Sequence, residues 1–132
     1  MDLDPDTLPP RAICVRGGLM GDHQSVFDSA VDSNDDDDGF ALSVFCADPD
    51  IEGSREAALS RAVKEGEIPN SQVRVTTVGQ LTAEGFVLVP RPPPPCHWHV
   101  ILGTVPSIDR VSIFIGLFGE PEPSPREKRS SA

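Results

Sequence analysis

Two histidines stand two residues apart in the alternating run Cys96–Leu102 (CHWHVIL). Alternate side chains of a strand share a face, so His97 and His99 project the same way. Paired imidazoles suit metal ligation or acid–base chemistry near neutral pH. A metal needs further ligands, and the remaining histidine is His23, preceded by Asp22. The metal expectation is therefore His97, His99 and His23. The catalytic expectation is His97 and His99 as acid and base, with Arg16 steadying phosphate charge.

A second constellation is the run Asn34-Asp35-Asp36-Asp37-Asp38-Gly39. Ligands at 34, 36 and 38 with a turn glycine at 39 match the opening of an EF-hand loop. Its twelfth position falls on Phe45, where a bidentate Glu is required, and the residues that follow Gly39 read as a strand. The run is better read as charge. Residues 1–50 carry twelve Asp, no Glu and only Arg11 and Arg16 as cations, which accounts for the whole net charge of −10. The rest of the chain balances. Such a field repels nucleic-acid phosphates and attracts basic partners. Asp35, Asp36, Asp37 and Asp38 are thus the expected contacts to a basic protein surface, with no direct nucleic-acid binding.

The three cysteines, Cys14, Cys46 and Cys96, are too few and too far apart in sequence for a disulfide framework. They read as small buried hydrophobes in a reducing compartment. Cys96 and His97 are not a dyad, because neighbouring strand residues point apart. The sequence lacks a phosphate-binding glycine loop, a Gly-x-Ser-x-Gly elbow and a Cys-x-x-Cys pair, so no cofactor is expected. Arg16, Ser43 and a later Glu-x-Glu resemble the Arg–Ser–Glu pattern of ADP-ribosyltransferases. That family places its acidic pair at the mouth of a late strand. Here the pairs are Glu65-Gly66-Glu67, at a helix end, and Glu120-Pro121-Glu122, in the tail, and no Ser-Thr-Ser follows Phe40.

The elements that must position these residues follow from periodicity. Arg11–Arg16 (RAICVR) predicts a strand stopped by Gly17-Gly18, and Gln24–Val31 one or two helical turns. Phe40–Cys46 (FALSVFC) predicts a central strand buried on both faces. Ser54–Glu65 is the clearest helix: Ser54 caps it, Ala58, Leu59, Ala62 and Val63 form its stripe, and Gly66 ends it as a left-handed residue. Val73–Val78 and Phe86–Val89 predict strands around a helical turn at Gly79–Glu84. Pro90–Pro95 predicts an extended polyproline spacer. Cys96–Leu102 and Val111–Phe118 predict the last two strands.

These elements give an α+β fold: a single small domain over residues 11–118, with a mixed, mostly antiparallel sheet and one main helix on one face. Residues 1–10 are expected as a flexible leader and 119–132 as a disordered tail. The acidic N-terminus lacks a basic-then-apolar signal, and no apolar run approaches the roughly 20 residues of a membrane span. A membrane role is therefore not expected, and a cytoplasmic location is.

FALSVF, VRVTTVGQLTAEGFVLVP and the proline-led HWHVIL, within residues 39–102, resemble small open reading frames of GC-rich bacteria, some beside toxin–antitoxin or mobile-element genes. The resemblance implies a cytoplasmic accessory or toxin-like role and assigns no functional residues. Two functions are thus expected: a non-catalytic interaction protein whose acidic N-terminal third binds a basic surface, or a toxin-like RNA-directed effector enzyme using His97 and His99.

Overall fold

The computed structural model describes residues 8–32, 40–103, 105 and 107–125. In chain order the elements are β1 (Ile13–Gly17), α1 (His23–Asp32), β2 (Phe40–Ala47), α2 (Pro49–Glu52), α3 (Arg55–Glu65), β3 (Gln72–Thr77), α4 (Val78–Ala83), β4 (Val87–Pro90), β5 (His97–Gly103), α5 (Ile108–Gly116) and β6 (Glu122–Pro123). The strands form one sheet in the order β4-β5-β2-β1-β3-β6. The chain is α+β, and every strand pairing among the described residues is antiparallel.

Near-continuous apolarity places β2 in the sheet interior, as its sequence predicts. Its two sets of alternate residues enter two separate cores. Phe40, Leu42, Val44 and Cys46 join Trp98, Val100 and Leu102 of β5 under α1, α4 and α5. On the opposite face, Ala47 joins Ile13 and Val15 of β1 and Val73 and Val75 of β3 under Ala58, Leu59, Ala62 and Val63 of α3. The main helix α3 packs on one face as expected, and the further helices α1, α4 and α5 cover the other.

The added cover comes largely from α5, which replaces the strand predicted at Val111–Phe118. Its β-branched and aromatic residues suit either structure, and a short apolar run does not separate the two. Burial decides it: Val111, Phe114, Ile115 and Phe118 line one helical stripe. Ser107 caps the helix by accepting the Arg110 N–H at 3.3 Å. The helix ends on Arg74 of β3, whose guanidinium donates to the carbonyls of Phe118 (3.0 Å), Gly119 (2.8 Å), Leu19 (3.1 Å) and Ile115 (3.5 Å).

α3 begins as predicted, with Ser54 Oγ accepting the Ala57 N–H at 3.0 Å. Its end differs. Gly66 is right-handed (φ −77°) and Glu67 carries the left-handed angle (φ 51°). The Ile68 N–H reaches Val63 O and the Glu67 N–H reaches Lys64 O, a Schellman ending shifted one residue onwards. Gly66 is required by space instead, since a Cβ there would lie 2.7 Å from the Phe45 ring.

Three further expectations are corrected. Pro90–Pro95 is not an extended spacer. It closes the β4–β5 hairpin, with the Arg91 N–H on His97 O and the His97 N–H on Pro94 O. Of the expected leader, Leu8 packs against the first core and the carbonyls of Pro9 and Pro10 accept the N–H groups of Ala12 and Gly79. Of the expected tail, β6 pairs with β3, and Glu122 forms an ion pair with Arg55 at 2.8 Å.

Candidate functional site around Ser43 and His97

α3 lies over β1 and β2. On this side of the sheet, the neighbouring strand β5 presents His97, His99 and Ile101, all half-buried. β2 pairs with β5 so that Ser43 faces His99 and Phe45 faces His97. All four side chains project from the same face. The His97 ring stacks on Phe45 at 5.1 Å between centroids, and His99 meets it edge-on at 5.2 Å.

The hydrogen bonds of His97 define its chemistry. Nδ1 lies 2.7 Å from the carbonyl oxygen of Arg91, and Nε2 lies 3.0 Å from Ser43 Oγ. A carbonyl only accepts, so Nδ1 carries the proton and donates. In the neutral ring Nε2 is then a lone pair, and the Ser43 hydroxyl donates to it. Burial holds the His97 pKa below the ordinary imidazole value, and the neighbouring His99 acts in the same direction; the Arg91 carbonyl opposes them. At neutral pH the geometry is that of a hydroxyl facing an oriented general base.

Arg16 holds the backbone of the site from the other face of the sheet, where it lies among residues of α1. β1 and β2 pair from Ile13↔Ala47 to Val15↔Phe45. Beyond that, the Arg16 guanidinium donates to the Ser43 carbonyl at 2.8 Å. Burial lowers the Arg16 pKa. Ser43, Arg16, Gly17, Phe45, Glu67 and Asn70 help line an open cleft of about 210 Å³. The serine thus stands between an imidazole and solvent-accessible space.

The structure brings together His97 and His99 but neither Arg16 nor His23. The Arg16 side chain leaves β1 on the face opposite Val15, among α1 residues, so its expected role of steadying phosphate charge beside the histidines is corrected. His23 opens α1, which packs on the opposite face of the sheet, and its Nδ1 meets Ser112 Oγ on α5 at 3.0 Å. The expected metal set of His97, His99 and His23 is therefore corrected. Among the described residues no group of three His, Cys, Asp or Glu side chains is placed to hold a metal ion. Asp35, Asp36, Asp37 and Asp38, and with them the EF-hand reading, lie outside the described residues.

Of the acidic pairs, Glu65 bonds Arg61 at 2.5 Å and Glu122 bonds Arg55, whereas Glu67 lines the cleft. Sequence reasoning paired Ser43 with Arg16 but missed its bond to His97. The available signal was parity: in FALSVFC, Ser43 alternates with Phe45 away from the Leu42–Val44 side. The orienting carbonyl of Arg91 has no sequence signal, because any residue supplies one.

No family model matches the chain, and no curated protein or solved structure matches it. Among the described residues no helix is long and apolar enough to cross a membrane.

Proposed function

We propose that the protein is a small effector enzyme of the group-transfer or hydrolytic kind, with Ser43 as nucleophile and His97 as its general base. The observation that carries this reading is the chain Arg91 O···Nδ1–His97–Nε2···Oγ–Ser43, with links of 2.7 and 3.0 Å. In the reaction Ser43 Oγ forms a bond to an electrophilic carbonyl carbon or phosphorus, and its proton passes to His97 Nε2. The resulting imidazolium returns that proton to the leaving group. Arg16 donates to the Ser43 carbonyl from the opposite face of the sheet and so fixes the backbone that carries the nucleophile. His99 lies against His97 and raises the cost of protonating it.

A fluorophosphonate tests the reading. Ser43 Oγ displaces fluoride from phosphorus and leaves a stable adduct. Labelling is expected on Ser43, absent in Ser43→Ala, and about 10²–10⁴-fold slower in His97→Gln. Absence of label on the folded wild type, or label that survives Ser43→Ala, contradicts it. RNA as the physiological substrate is tested separately: growth arrest on expression, relieved by His97→Ala, supports an RNA-directed effector.

The charge distribution favours a second reading, an acidic interaction surface for a basic partner in the cytoplasm. The whole net charge arises within residues 1–50. Asp48 does not contribute freely: its buried carboxylate is held by Arg11 at 2.8 Å and caps α2. Asp22 caps α1 through the Gln24 and Ser25 N–H groups. A pull-down at low and high salt tests this reading, because binding that is indifferent to salt excludes an acidic-surface mechanism.

A further inference from the structure

Cys14 and Cys46 are directly opposed across the β1–β2 ladder. Their sulfurs lie 3.4 Å apart and both residues are almost fully buried. We infer that this pair is a specific oxidation site, which a small two-electron oxidant converts into a cross-strand disulfide joining β1 to β2.

The backbone permits the bond. Directly opposed antiparallel residues have Cα atoms about 4.5 or 5.5 Å apart, depending on the ladder site, and both values fall in the disulfide range of about 4.4–6.8 Å. A bond length near 2.05 Å leaves the sulfurs about 1.3 Å to close from their 3.4 Å contact, a distance within reach of side-chain torsions. Cys96 is the competing partner, since its carbonyl accepts the Cys46 N–H at 2.8 Å. It lies one step beyond the Phe45↔His97 pair, opposite Cys46 on the other side of β2 from Cys14, and the 3.4 Å sulfur contact is what favours Cys14. The new loop would enclose α1 and the acidic stretch that follows it, and restricting that loop in the unfolded chain stabilises the fold. Burial pushes the Cys46 thiol above its ordinary pKa, so reaction is slow at neutral pH and accelerates as pH rises.

Diamide, a diazene oxidant, supplies the balance. The Cys46 sulfur adds to one nitrogen and its proton ends on the reagent. That proton sits on the neighbouring nitrogen; the Cys14 sulfur then attacks the Cys46 sulfur, the S–N bond breaks, and the Cys14 proton goes to the nitrogen released from sulfur. The thiols are oxidised to one disulfide and the diazene is reduced to a hydrazine.

The full-length folded chain is treated with diamide, quenched with a maleimide, and mapped by mass spectrometry without reduction. The expected product joins the Cys14 and Cys46 peptides with loss of two hydrogens, while Cys96 carries maleimide. Cys96→Ser gives the same cross-link, and its urea midpoint rises on oxidation and returns with dithiothreitol. Maleimide on all three cysteines of the folded wild type, a cross-link predominantly through Cys96, or a lower midpoint for the oxidised chain overturns the inference.

Discussion

Replacing Arg74 tests whether one side chain fastens three parts of the chain. Its guanidinium donates to carbonyls in the loop after β1, at the end of α5, and at Gly119, which leads to β6. The last carbonyls of a helix have no intrahelical donor, and a cation there also meets the negative end of the helix dipole. A hydrogen bond to a charged group contributes about 1.5–3 kcal/mol. The four bonds share one side chain and water can replace the exposed ones, so they do not add. Arg74→Ala should therefore cost about 2–4 kcal/mol, a large share of the roughly 5–15 kcal/mol typical of a domain. Arg74→Lys should recover only part of this, because an ammonium lacks the planar fork. Urea unfolding is the assay, read as a fall in midpoint of about 1–2 M at constant slope. A loss below about 0.5 kcal/mol would show instead that water satisfies these carbonyls equally well and that Arg74 fastens nothing.

Three more outcomes follow from the geometry. Glu67→Gly, at the left-handed position after α3, should stabilise the fold by about 0.5–1 kcal/mol, visible as a higher urea midpoint; a lower one would show that the Glu67 side chain holds the loop. Asp48 has its pKa lowered, first by the Arg11 hydrogen bond. Its ionised form thus stabilises the fold above the ordinary carboxylate range, and that contribution is lost as pH falls through the depressed native value. Asp48→Asn should accordingly be less stable than wild type at pH 7, with the gap narrowing below about pH 4; a gap independent of pH would contradict this. His97 has its pKa lowered chiefly by burial, so fluorophosphonate labelling should hold at neutral pH and decline only below the ordinary imidazole range; an inflection above that range would contradict the desolvated base.

Much of the fold was legible wherever one periodicity dominated. β2 and β5 could be read from unbroken apolarity and strict alternation, and α3 from its capping serine and four-residue stripe. α5 was not, because Val, Ile and Phe at 111–118 satisfy both periods; only the cap at Ser107 and the polar residues before Val111 mark it as helical. β6 escaped because a two-residue strand among prolines has no pattern of its own, and an ion pair from Arg55 to Glu122 spans 67 positions. The site was half legible. Two imidazoles on one face follow from spacing alone. Their partner does not, since choosing Ser43 needs the β2–β5 register, and choosing Nε2 over Nδ1 needs the hairpin that carries the Arg91 carbonyl.

Nitrogen NMR on labelled imidazoles reads directly whether His97 is neutral and offers its Nε2 lone pair to Ser43. The expected spectrum has a protonated Nδ1 and an unprotonated Nε2 at pH 7, with the Nε2 resonance shifting in Ser43→Ala. A proton on Nε2, or a His97 spectrum unaffected by removing the Ser43 hydroxyl, would contradict it.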